Sequence, residues 1–290
     1  MPSISRAQAA QYMRLMHACQ TQAAAPVEAL WSTLDAASTV DAAAQIMAEA
    51  MALQVEAYGD AMAQAMAEFL ASQLDALGDG QAAQAVRDAA AEALAEVQPP
   101  DRDALESKAR YNVAKARAHP DAAEAAGRAI GAATEAAVKQ RAYMQQAGVI
   151  AKSTATAEQR NYRPVRCRVA WVPGDARPCA FCTMLAGRGM QRAQKSRVMD
   201  YSAHVHPNCR CELMIVADGV TLEGYSAAPY RKRMADAAAT LGLNAYTEEL
   251  SAGHWVEIQN ALRRQDYEQD GDKIRAQHRA EYARTHDEKQ

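Results

Sequence analysis

A cluster of cysteine and histidine residues late in the chain constrains its fold more than any other sequence feature. Four of the six cysteines lie in this cluster, as Cys179 and Cys182 and as Cys209 and Cys211. His206 precedes Cys209 by the three-residue spacing that also separates Cys179 from Cys182. A Cys-x-x-Cys turn directs two thiolates to one point, and a second turn of the same spacing completes a tetrahedral site. This symmetry predicts a structural zinc ion bound by Cys179, Cys182, His206 and Cys209.

Cys211 adds a fifth possible ligand, whereas a closed structural zinc site needs four. Residues two apart in extended backbone point to the same side, so either Cys209 or Cys211 could complete the site. All five residues therefore remain candidates. Two disulfides are the alternative typical of a secreted protein, but the polar first twenty residues do not resemble a signal peptide. A redox pair at Cys179 and Cys182 would need a βαβ context, which the preceding sequence lacks.

Composition and charge define the broad class of the protein. The 290 residues are 49% hydrophobic but only 6% aromatic, and the abundance of alanine is typical of closely packed helices. No run of eighteen apolar residues occurs, so no transmembrane helix and no membrane partner are expected. Residues 1–106 carry 15 acidic and four basic side chains, whereas residues 160–211 carry two acidic and ten basic ones. So many cations near a small metal site predict a polyanion or an acidic protein surface as the partner.

Helical periodicity predicts a mainly α fold whose first domain covers residues 1–148. The clearest helix spans residues 41–77, with Asp41 as its predicted N-cap and Gly78-Asp79-Gly80 at its end. Its apolar positions recur every three or four residues, at Met47, Met51, Val55, Tyr58, Met62, Met66 and Phe69. This stripe predicts the seam of a helical bundle, with an adaptable partner groove as the alternative. Pro26 is expected to open a new helix.

A small α+β module is predicted at residues 149–217. The polar and small residues 151–161 indicate a joint, and alternation over residues 165–171 predicts a strand with one apolar face and one cationic face. A short helix after the first Cys pair and a second strand at residues 212–216 complete the module. Because its core is small, the bound metal would stabilise it directly. Residues 218–290 are predicted to form a helical, charged C-terminal region, whose end is a solvated helix or a disordered tail.

Three arginines of the module are the predicted partner-binding residues. Arg166 and Arg168 are expected to project from the same side of the strand, and Arg210 lies inside the second metal-binding turn. They would contact either DNA phosphates or an acidic protein surface, such as that of a neighbouring copy. The protein partner is favoured because no aromatic residues are interleaved with these arginines to stack on bases. The cluster Arg231–Arg233 is a second, weaker candidate for phosphate contacts.

Two motifs in the module carry a resemblance to a known family. They read W-V-P-G-D-A-R-P-C-A-F-C-T-M-L-A-G-R-G, from Trp171, and H-P-N-C-R-C, from His206. Following a long helical half, this pattern resembles the Mu-F-like minor head (head morphogenesis) proteins of tailed bacteriophages, over about residues 125–216. The resemblance implies a structural virion component bound to the portal protein and capsid interior, close to packaged DNA. It also implies that the protein is in the host cytoplasm during assembly.

No catalytic motif stands out, so we expect a binding protein rather than an enzyme. The H-E-x-x-H zinc protease motif is absent, and the Pro178–Cys182 segment lacks the upstream glutamate motif of a deaminase. A cysteine protease that uses Cys167 with His204 or His254 stays open, in keeping with a capsid maturation protease as the alternative function. A zinc-stabilised nucleic-acid-binding protein is the second alternative.

Overall fold

The fold is mainly α, as the sequence predicts. The computed structural model describes residues 2–34, 38–119, 123–160, 162–174, 178–203, 205–244 and 253–268. The helices within these residues are α1 (Arg6–Thr33), α2 (Val40–Ala76), α3 (Gly80–Ala95), α4 (Arg102–Ala118), α5 (Ala123–Gln159), α6 (Ala180–Gly187), α7 (Lys195–Ala203), α8 (Ala228–Ala239) and α9 (253–268). The strands are β1 (Ser3–Ile4), β2 (Cys167–Val172), β3 (Gln191–Arg192), β4 (Glu212–Ala217) and β5 (Thr221–Leu222).

The chain divides into two compact units. The first comprises the described parts of residues 1–170 and 191–224, and the second comprises the described parts of residues 171–190 and 225–290. In the first unit, helices α1 to α5 pack against one another around α2 and α5. The predicted stripe of α2 is the bundle seam, because Met47, Met51, Val55, Met62 and Met66 are buried. The seam interpretation of this stripe is therefore confirmed.

Short polar residues and glycine set the helix ends of the bundle. Thr39, rather than the predicted Asp41, caps α2 by accepting a hydrogen bond from the Ala42 amide, since its side chain precedes the first helical turn. Asp79 and Asp101 cap α3 and α4 in the same way. Gly78 ends α2 as predicted, with a positive φ of 77° that suits glycine after a helix.

Two predicted breaks are wrong. Pro26 lies inside the continuous helix α1. Both Pro26 and the residue four positions earlier are exposed, so water can bind the carbonyl that proline leaves unpaired. The joint predicted at residues 151–161 is helical as far as Gln159. Its small residues allow close packing instead of flexibility, since Ser153 and Ala157 are buried.

Short strands complete the first unit. One sheet has the order β3-β2-β4, and β2 pairs antiparallel with β3 so that Val169 faces Gln191. Strand β4 forms as predicted, and all six of its residues are buried. A separate pair joins β1 to β5 in parallel, with Ile4 opposite Leu222.

The second unit has a small core of its own. Apolar residues of α6, α8 and α9 form one buried cluster, which includes Met184, Met234, Ile258 and Leu262. Gly187 permits this packing, because a Cβ atom there would lie 2.5 Å from the Met234 sulfur. Helices α8 and α9 lie in the C-terminal region that was predicted to be helical, although residues 245–252 and the tail after residue 268 lie outside the described residues.

Candidate metal centre

Helix α6 positions the first cysteine pair. Cys179 is the N-cap residue of α6, and its Sγ accepts a hydrogen bond from the Cys182 amide at 3.4 Å. The positive end of a helix dipole favours the thiolate form that binds metal. Cys179 is exposed, whereas Cys182 is buried. The loop–helix junction therefore presents two sulfur ligands in different solvent environments.

An arginine from α8 holds this junction in place. Arg233 donates through Nη1 to the Pro178 carbonyl at 3.0 Å and to Thr183 Oγ1 at 2.9 Å. The Thr183 hydroxyl also donates to Pro178 O at 3.2 Å, and Arg233 forms an ion pair with Asp266. The residues on both sides of the cysteine pair are thus tied to one guanidinium. Sequence reasoning assigned Arg233 to a phosphate-binding cluster, and this position corrects that interpretation.

A tight turn presents the second group of ligands. Asn208 has a positive φ of 62°, a conformation that asparagine tolerates better than most residues, and the Cys209 amide donates to His206 O at 3.3 Å. His206 Nδ1 lies 3.0 Å from the Pro207 carbonyl. Because a carbonyl oxygen only accepts, a hydrogen bond at this distance requires the proton on Nδ1, and Nε2 would then be the nitrogen that coordinates a metal.

By the distances between their ligand atoms, the five predicted ligands from the two turns form two overlapping groups of three. The ligand atoms of Cys179, Cys182 and His206 lie within 4.8 Å of one another, and so do those of Cys182, Cys209 and Cys211. No disulfide joins any of these cysteines. Thiolate and imidazole are the ligands that zinc prefers in structural sites. The cluster could therefore hold a metal ion, with Cys182 common to both groups.

A buried ion pair in the first unit fixes the backbone of the second group. Lys139 of α5 and Glu212 are each only 1% exposed, and their side chains meet at 3.0 Å. The Lys139 ammonium also donates to the carbonyls of Cys209, at 2.7 Å, and Cys211, at 2.9 Å. Burial is the largest single effect and opposes the charged ammonium, but Glu212, Cys209 and Cys211 together outweigh it and raise the pKa of Lys139.

Glu212 is itself held by two further side chains. Its Oε1 accepts from Gln20 Nε2 at 2.8 Å, and its Oε2 accepts from the Tyr143 hydroxyl at 2.9 Å. Burial, and then the charge of Glu212, raise the pKa of Tyr143 well above its usual value. Each oxygen of this buried carboxylate therefore has at least one donor, as a buried charge requires.

Helix side chains also satisfy the backbone of β4. Gln73 of α2 donates through Nε2 to Ile215 O at 3.1 Å and accepts from the Ala217 amide at 2.9 Å. The Tyr143 oxygen accepts from the Leu213 amide at 2.8 Å, and the Tyr12 hydroxyl donates to Leu213 O at 2.9 Å. Strand β4 is therefore bound to the bundle by polar contacts, in addition to its buried apolar side chains.

The three predicted partner-binding arginines have different environments. Arg166 and Arg210 are exposed. Arg168 is bound within the first unit: its Nη2 donates to Val220 O at 2.9 Å, and its Nε lies 3.5 Å from the Asp218 carboxylate. The turn after β4 supplies Arg168 with these internal partners. Arg168 is therefore less available to DNA or to a partner protein than sequence reasoning assumed.

The environment of Cys167 does not suit a nucleophile. This residue is buried, and burial raises the pKa of its thiol to about 12. A catalytic cysteine needs the thiolate near neutral pH, so its pKa must be lowered rather than raised. The proposed partner His204 lies outside the described residues, and His254 belongs to the second unit.

No helix among the described residues has both the length and the apolar character needed to cross a membrane.

Comparisons with known proteins place the chain in a family. No curated protein and no solved structure matches the chain. A family model described as "VG15 protein" matches residues 3–237. This match covers more than half of the chain, including both groups of candidate metal ligands. The chain therefore belongs to the VG15 protein family, which indicates a phage-encoded protein.

Proposed function

We propose that this chain is a minor capsid protein of a tailed bacteriophage, acting in head morphogenesis by binding rather than by catalysis. It is a structural component of the virion, located near the portal inside the head. Its partners are the portal protein and the capsid interior, with packaged DNA nearby. Membership of the VG15 family supports the viral assignment, and the resemblance of the metal-binding motifs to Mu-F-like proteins supports the finer one.

The Cys–His cluster is the observation that carries this proposal. We assign it a structural zinc ion, bound by four of Cys179, Cys182, His206, Cys209 and Cys211. The backbone of each group is fixed by a cation paired with a carboxylate, Arg233 with Asp266 and Lys139 with Glu212. Such rigid support of the ligand-bearing backbone is typical of a structural metal site.

Two features support binding over catalysis. The pKa of the Cys167 thiol, raised to about 12, argues against this residue as a protease nucleophile. The candidate ligands are held by contacts to the backbone around them, and they form two groups of three that share Cys182. A catalytic zinc site instead keeps a coordination position open for water or substrate.

Mass spectrometry of purified virions, combined with metal analysis of the isolated protein, tests the proposal. We expect the protein in a small, fixed number of copies per particle and about one zinc ion per chain. Absence from virions that carry a normal portal would contradict the structural assignment. Loss of major capsid protein cleavage when Cys167 is replaced by Ser, with particles otherwise assembled, would support the protease alternative.

DNA binding is tested separately with the two exposed arginines. If the module contacts phosphates, Arg166→Gln/Arg210→Gln will weaken duplex binding and reduce its salt dependence. If it contacts an acidic protein surface, the double variant will lose portal binding or self-association while DNA affinity stays unchanged. Arg264→Gln is the matched control, because Arg264 is exposed and belongs to the second unit.

A further inference from the structure

A groove of about 630 Å³ lies in the first unit beside α4 and α5. Its walls are largely apolar and include Leu105, Met144 and Met199. Met144 is 47% exposed, which is unusual for a large apolar side chain in a bundle. The groove is therefore an apolar surface that the described residues leave uncovered.

Arg141 places a fixed cation in the groove wall. Its Nε donates to Asp60 at 2.7 Å and its Nη1 donates to the Gln98 carbonyl at 2.9 Å, while the side chain is only 9% exposed. Gly59 makes room for it, because a Cβ atom there would lie 2.7 Å from Arg141 Cδ. Among the described residues, none accepts a hydrogen bond from Arg141 Nη2. A nearly buried guanidinium thus keeps one nitrogen without a protein partner, and it lines the groove.

The other charges of the groove leave it with a positive excess. Lys108 and Lys195 line it, and no carboxylate in the described part of the chain pairs with either. The acidic residues of the wall are engaged, because Glu96 pairs with Lys152 and Asp101 caps α4. An occupant that combines apolar side chains with carboxylates would fit this groove.

The exposed face of α2 has that chemistry. Ile46 is 45% exposed and Leu53 is 64% exposed, and Glu49 and Glu56 are exposed on the same face. These four residues, here called the α2 ridge, fall within one helical stripe about 15 Å long. No basic side chain of the described residues pairs with either glutamate.

We propose that the α2 ridge of one copy docks in the groove of a second copy. Ile46 and Leu53 would cover the apolar walls, and the glutamates would meet Arg141, Lys108 and Lys195. The two surfaces lie on different parts of the first unit, so the contact is heterologous and repeats from copy to copy. This inference goes beyond the proposed function and depends neither on zinc nor on a virion location.

Sedimentation velocity of the full-length protein at low salt, over a range of concentrations, tests the proposal. Leu53→Ser removes an apolar anchor and should raise the dissociation constant of self-association about tenfold or more. Leu15→Ser is the matched control, because Leu15 is 49% exposed but lies on α1, outside the ridge. Equal effects of the two substitutions, or a wild-type protein that is monomeric throughout, would overturn the proposal.

Charge reversal identifies the two surfaces directly. We expect Glu49→Lys/Glu56→Lys alone and Lys108→Glu/Lys195→Glu alone to lose self-association, since each variant brings like charges together. A mixture of the two variants should associate again, with the variants alternating. The reversed ridge of one matches the reversed groove of the other, and the two unchanged surfaces also match. Circular dichroism checks that both variants remain folded. Failure of the folded variants to associate when mixed would also overturn the proposal.

Discussion

Replacing Lys139 by Met is the sharpest test of how the second ligand group is supported. The substitution keeps an unbranched apolar chain of nearly the same length but removes the ammonium that contacts Glu212 and the carbonyls of Cys209 and Cys211. Glu212 would then be a buried carboxylate without a counter-charge. Breaking a buried ion pair in this way costs about 3–5 kcal/mol of the free energy of unfolding. A typical domain has only about 5–15 kcal/mol in total, so partial unfolding and loss of metal are expected.

Urea unfolding followed by circular dichroism measures this loss, and chelator competition measures the affinity for zinc. The double variant Lys139→Met/Glu212→Gln removes both charges and should recover about 2 kcal/mol or more of the loss. Lys152→Met is the control, because Lys152 is on the same helix but at the surface, and its removal should change stability little. A Lys139→Met protein within about 1 kcal/mol of wild type would refute the reasoning, as would a double variant no more stable than the single one.

Three further predictions concern the metal and the buried acids. Replacing Cys179 or Cys182 by Ser should release zinc while helices α1 to α5 stay largely formed. Metal analysis and circular dichroism measure the two effects, and a metal-free wild-type protein would contradict the prediction. If the two turns are symmetric, Cys209→Ala will lower zinc affinity severely and Cys211→Ala only modestly, and the reverse order in a chelator titration would make Cys211 the fourth ligand. Burial raises the pKa of Cys167 from 9.0 to about 12, and it raises the pKa of Tyr12 as well. The folded state therefore holds these protons more tightly, so their contribution to stability is complete below pH 9 and is lost as the pH rises towards 12. The urea midpoint of unfolding should therefore fall as the pH rises from 8 to 11, and it should fall less for Cys167→Ala than for the wild-type protein.

The parts of the fold that local chemistry determines could be predicted from the sequence. Asp79 and Asp101 cap helices because their side chains reach the backbone three residues on, and Gly78 ends α2 because the turn needs a positive φ. The α2 stripe and the two ligand turns depend on spacing alone. The predicted breaks at Pro26 and at residues 151–161 were wrong for the same reason, although Pro26 is exposed and Ser153 and Ala157 are buried. Whether a helix continues there depends on solvent access and on packing against neighbours, which the local sequence does not contain.

The support of the metal centre could not be predicted, because it joins residues far apart in the sequence. Lys139 and Glu212 are 73 positions apart, and the sequence around Glu212 indicates only that this residue begins a strand. One signal did exist in α5. Lys139 and Tyr143 are four residues apart on a buried helical face, together with Gln146 and Ile150. A lysine in such a stripe needs a buried counter-charge, although the sequence does not say which carboxylate supplies it.

The discontinuous first unit has a consequence for folding during synthesis. Helices α1, α2 and α5 leave the ribosome long before β4, yet Gln20, Gln73 and Lys139 each bind a partner among residues 209–217. Strand β1, near the start of the chain, must likewise wait for β5 at residues 221–222. Such long-range pairing slows folding. The polar side chains that bind β4 therefore stay exposed on the nascent bundle until three quarters of the chain is made. We expect the nascent chain to bind a chaperone during that interval.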